Sequence, residues 1–93
     1  MEIRLNGQDW RTETDFIEGV LTAVQAPVWH GRSYNALRDS FVTGGINGID
    51  PPYDFIITMP ASPSSRVDDA VRYFIARVSE WRAEGALLSI HLA

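Results

Sequence analysis

The sequence predicts an α/β fold, a three-stranded parallel sheet with helices packed on it, in a single domain over residues 1–93. Three observations carry this. Strand-like stretches stand at 2–6, 53–59 and 86–92. The segments between them carry apolar residues at helical spacing, so the strands are joined through helices. Strands joined that way pair in parallel through right-handed crossovers.

"EIRLN" (2–6) alternates apolar and polar, with Ile3 and Leu5 on one side, and Asn6-Gly7 ends it as a short strand. Thr12, with Asp15 three residues on, has capping-box spacing. Phe16, Ile17, Val20, Leu21 and Val24 then mark one helical face, and Pro27 is the expected stop. Ser33 is placed to cap a shorter helix over 33–43 with a buried stripe of Tyr34, Leu37 and Phe41, near the sheet rim.

"TGGINGIDPPYD" is a loop by composition. "YDFIITM" (53–59) is nearly continuously apolar, which predicts a central strand covered on both faces. After the loop "PASPSS", Ser65 and Asp68 repeat the capping-box spacing. Val67, Ala70, Val71, Phe74, Val78 and Trp81 form the third helical stripe, closed by Gly85, and "ALLSIHL" (86–92) is the last strand.

Composition narrows the function. Cysteine is absent, which rules out disulfides and thiolate metal sites. The N-terminus lacks the apolar run of a signal peptide and no stretch is long enough to span a membrane, so a cytoplasmic chain is expected. Eight basic residues, all arginine, against twelve acidic ones give a net charge of −4. That balance disfavours nucleic-acid binding and favours a basic protein partner.

The inventory offers no catalytic set. His30 and His91 have no ligand spacing, no serine sits in a nucleophile elbow, and "GGING" lacks the lysine of a phosphate loop. Asp68 and Asp69 read as first-turn acids that complement the helix dipole. No catalysis, metal or cofactor is expected.

The stretch "APVWHGRSYNALRDSF" (26–41) reads by residue pattern either as an ordinary solvated face or as a binding face. Asn35, Arg38 and Asp39 point roughly one way on the 33–43 helix, opposite Leu37 and Phe41. Trp29 stands in the loop just before it, and Gly31 and Gly44 bracket the helix. Trp, Arg and Asp side by side are residue types that dominate interface energetics.

The runs "LNGQDWRTETDFIEGVLTAVQAP" and "VWHGRSYNALRDSF", with "AEG" (83–85) ahead of the final strand, resemble the barstar family. These are small cytoplasmic inhibitors of secreted bacterial ribonucleases related to barnase, and the resemblance covers nearly the whole chain. It implies a 1:1 complex with a guanyl-preferring microbial ribonuclease, a free monomer, and immunity of the producing cell. In that family the second helix and its preceding loop plug the enzyme's active site. The resemblance puts Asp39 where an RNA phosphate would sit and Trp29 against the enzyme's catalytic histidine region, and it lets Glu80 reach a second arginine. Trp29, His30, Gly31, Asn35, Arg38, Asp39, Thr43, Gly44 and Glu80 are therefore the expected partner-binding residues. By residue type alone, Glu80 is equally a solvated helix acid.

The departures bear on the partner. Asn35 stands where well-known members carry an aspartate, Arg38 where they carry an aromatic residue, and Gly45 where a tryptophan can stand. The alternative is an immunity or regulatory protein of the same fold with a target other than a ribonuclease, since fold does not fix function.

Overall fold

The computed structural model describes residues 1–93. Strands Glu2–Asn6 (β1), Tyr53–Thr58 (β2) and Leu88–Leu92 (β3) form one sheet in the order β1-β2-β3. Both pairings are parallel, with Ile3 opposite Phe55 and Phe55 opposite Ile90. Helices Glu13–Ala23 (α1) and Tyr34–Thr43 (α2) connect β1 to β2, and Ser65–Ala83 (α3) connects β2 to β3. The three-stranded parallel α/β sheet is as the sequence predicts.

One expectation about it fails. Strand β2 is covered on one face only. Tyr53, Phe55 and Ile57 are buried, while Asp54 and Thr58 are exposed and Ile56 is half-buried. Topology explains this. The strands lie in chain order, so every crossover advances in the same direction. Right-handed crossovers that advance one way lay all their helices on one face. Ile56 alone, on the open face, made the run look continuously apolar.

The covered face meets one core of 21 buried hydrophobic residues. Aromatic rings form its centre: Phe74 and Trp81 of α3 lie edge to face at 5.9 Å, and Phe41 of α2 meets Tyr53 at 5.3 Å and Trp81 at 6.0 Å. Burying Leu37 and Phe41 seats α2 beside the start of β2 and against α3. The opposite side of α2 is left outside.

Helix ends show where local chemistry acts. The Thr12–Asp15 capping box forms, with each side chain bonded to the other's backbone. Helix α1, however, ends at Ala23, well before Pro27. Gln25 adopts φ 56°, the Gln25 N–H donates to the Thr22 carbonyl at 3.1 Å, and the Ala26 N–H donates to Leu21 at 2.9 Å. This is a Schellman cap with glutamine in the left-handed position.

Helix α3 closes with the same motif, now with Gly85 at φ 106° as expected. Its Ala86 N–H bonds back to Trp81, so β3 begins at Leu88 and not at Ala86. The α3 N-cap is Ser64, whose side chain accepts from the Val67 N–H, and not Ser65. Asp68 instead pairs with Arg72 one turn on, at 2.8 Å.

Candidate protein-binding site

The loop 26–33 and helix α2 are joined by a buried chain of hydrogen bonds. The Pro27 carbonyl accepts from the His30 N–H at 2.9 Å and turns the ring inward. His30 Nδ1 lies 2.7 Å from the Gly31 carbonyl, and Nε2 lies 2.9 Å from Ser40 Oγ. A carbonyl can only accept, so Nδ1 carries the proton, and in the neutral ring Nε2 accepts from the Ser40 hydroxyl. Asn47 Nδ2 donates to Ser40 Oγ at 3.3 Å and to the Tyr53 hydroxyl at 3.4 Å. The Tyr53 hydroxyl donates to the Ile49 carbonyl at 2.5 Å, and burial pushes its pKa up against the opposing Asn47 bond.

This chain spans the loop before α2, α2 itself, the loop after it and β2. His30, one of the expected binding residues, is 5% exposed and lies at the floor of the cleft, bracing the site from beneath. Ser40 is 1% exposed and its oxygen is shared among several groups, which suits a strut more than a nucleophile. The buried stripe of α2 is Leu37, Ser40 and Phe41, where the sequence reading placed Tyr34 in it and missed Ser40; Tyr34 is half-buried.

Above this brace the surface is unusually apolar for a loop. Val28 is 93% exposed and Trp29 is 75% exposed. Trp29 and Asp39 line a cleft of about 240 Å³ together with Gly31, Ala36 and Ile46, with His30 and Ser40 beneath. Gly31 passes so close to the start of α2 that a Cβ there would stand 3.0 Å from that of Ala36. An alanine there would need the loop and helix to give by a few tenths of an ångström. Arg32 of the same loop pairs with Glu18 of α1, fixing it on the other side. Gly44 caps α2 at φ 74°, and the following loop is pinned by the Gly48 N–H on the Gln25 carbonyl at 2.8 Å.

The polar residues of α2 divide where the sequence suggested one cluster. Asp39, its side chain 69% exposed, turns toward the Trp29 cleft. The Arg38 guanidinium lies between Asp39 and the end of α3, with its main bonds toward α3. Its Nε and Nη2 bond the two oxygens of Glu84 at 2.9 and 2.5 Å, and Nη1 reaches Asp39 at 3.3 Å. Asn35 and Thr43 are exposed at either end of α2. The split follows from helix geometry: positions 38 and 39 are about 100° apart around the axis.

Glu80 lies four residues before Glu84 on the same side of α3, 61% exposed and paired with Arg77 at 2.8 Å. Glu84 enters the sequence reading only as the middle residue of "AEG" (83–85), with no place in the expected site. The Arg38 guanidinium beside it holds its carboxyl below the usual carboxylate range, and the Glu84 carboxylate in turn raises the Arg38 pKa.

No group of three or more His, Asp or Glu side chains converges as a metal site would require. No helix is long and apolar enough to cross a membrane. The site is thus an exposed indole, a small cleft and an open carboxylate, standing on a hydrogen-bonded base. Neither a scan against protein-family models nor a search of curated proteins returns a match for this chain.

Proposed function

We propose that this chain is a protein inhibitor of a secreted, guanyl-preferring microbial ribonuclease, and that it works in the cytoplasm of the producing bacterium without turnover of its own. Helix α2 and its preceding loop plug the enzyme's active site in a 1:1 complex. The observation that carries this reading is the pairing of the exposed Trp29 indole with the open Asp39 carboxylate across one cleft. A ribonuclease active site is cationic, because it must bind a phosphodiester. A carboxylate offered on a rigid helix accepts the same guanidinium and ammonium donors and shuts the phosphate out. The indole beside it supplies a large rigid contact at low entropic cost. The net charge of −4 favours steering toward a basic enzyme.

The test is a titration of the protein into RNA-cleavage assays with barnase and several related guanyl-preferring ribonucleases. Stoichiometric inhibition that is lost with Asp39→Ala supports the plug. If no enzyme is slowed, the ribonuclease reading falls and the target is of another class.

A further inference from the structure

Asp39 has a competitor for its own carboxylate. Arg38 is its chain neighbour, carries five N–H donors, and already touches Oδ1 at 3.3 Å through Nη1. An arginine that closed on Asp39 with both prongs would neutralise the group that must meet a partner's cation. The structure shows what prevents this. Glu84, the residue that caps the C-terminus of α3 and 46 residues away in sequence, takes the Nε and Nη2 edge of Arg38 in a two-pronged bond at 2.9 and 2.5 Å. That edge matches carboxylate geometry best. The remaining Nη1 contact with Asp39 is single and long, and Asp39 stays the most exposed of the three, at 69% against 40% and 41%. The nearby Glu80 is occupied by Arg77 and does not compete.

Resting on the reading of Asp39 as the group that meets the partner's cation, we propose that Glu84 is a positioning residue for Asp39. It draws the Arg38 guanidinium to the end of α3 and so keeps the carboxylate open. Without Glu84, the nearest acceptor for Arg38 is Asp39 itself. The partner must then displace an internal cation before it binds.

The test is a double-mutant cycle of Glu84→Ala and Arg38→Ala, neither of which reaches the core. One arm needs no partner. Carboxyl NMR titration of Glu84 is expected below the usual carboxylate range in the parent chain, and to rise toward it in Arg38→Ala, where only the weaker pull of Arg77 remains. A Glu84 titration that Arg38→Ala leaves unmoved overturns the proposal.

The second arm reads inhibition of the guanyl-preferring ribonuclease that binds the parent chain. Glu84→Ala is expected to weaken inhibition roughly tenfold when Arg38 is present and not at all in the Arg38→Ala background. Equal weakening in both backgrounds means that Glu84 acts only as negative charge in the field of the whole surface. That result overturns the proposal while the plug stands. If no variant inhibits any ribonuclease, the reading of Asp39 falls and takes the proposal with it, while the titration arm still reports whether the clamp exists.

Discussion

Nε2 of His30 and Oγ of Ser40, ten residues apart in sequence, meet at 2.9 Å inside the protein. This bond holds the loop that presents Trp29 against the helix that presents Asp39. Ser40→Ala removes the partner of Nε2 and one acceptor of Asn47 while changing almost no volume. An orphaned buried donor or acceptor costs about 1–3 kcal/mol. Urea unfolding of Ser40→Ala should show a loss in that range. A loss below about 0.5 kcal/mol, the size of an ordinary surface change, would remove the brace from the account.

Gln25 adopts φ 56°, where a side chain is strained and glycine is not. Gln25→Gly relieves that strain but loses some stability through the freer unfolded chain. The balance is a gain of about 0.5–1 kcal/mol, read as a higher urea midpoint at unchanged slope. Glycine already fills the matching position of α3, at Gly85. An unchanged or lowered midpoint would mean that the Gln25 side chain, packed over Gly48, matters more than its backbone.

Acid should erode stability through two carboxylates. Asp15 is held below its ordinary value chiefly by the backbone N–H of Arg11, and Glu84 chiefly by its bond to Arg38. A carboxylate whose folded pKa is lowered stabilises above its unfolded value and loses that contribution as pH falls through the folded one. The unfolded values are the ordinary ones, 3.8 for Asp15 and 4.5 for Glu84. The unfolding midpoint should therefore hold from neutral pH to about 5 and decline below it. Arg38→Ala should flatten part of that decline. If the acid profiles of parent and variant superimpose, the Arg38–Glu84 pair adds nothing to folding.

The strand and helix order was legible because burial imposes periods of two and of 3.6, and these survive in any single sequence. What the periods hide is which neighbour a residue meets. The open sheet face depended on strand order, a property of the whole chain, so Ile56 misled. The early end of α1 depended on Gln25 tolerating a conformation that favours glycine. At the site, Trp29 and Asp39 were visible as residue types on one exposed stretch. His30 was visible too, but its role was set by Ser40 and Asn47, which no spacing connects to it. Glu84 was visible only within "AEG", and its link to Arg38 was hidden, since only folding brings the two together.

The sharpest functional expectation separates binding from folding. Trp29 is 75% exposed and the Asp39 side chain 69%, so Trp29→Ala and Asp39→Ala should each change unfolding free energy by no more than about 0.5 kcal/mol. Against a ribonuclease that the parent chain inhibits, the outcome differs. Asp39→Ala leaves the enzyme's buried cations unpaired, the kind of loss that raises an inhibition constant about a hundredfold or more, mainly through faster dissociation. Trp29→Ala removes an aromatic contact at the centre of the patch and should cost at least about tenfold. Exposed charges outside the cleft lining, such as Glu2, should alter only the association rate, and less so at high salt. Stopped-flow association and dissociation rates, measured beside urea unfolding, resolve all three. If Asp39→Ala binds as the parent does, the carboxylate is no phosphate mimic, and the Trp29 loop must then engage its partner by apolar contact alone.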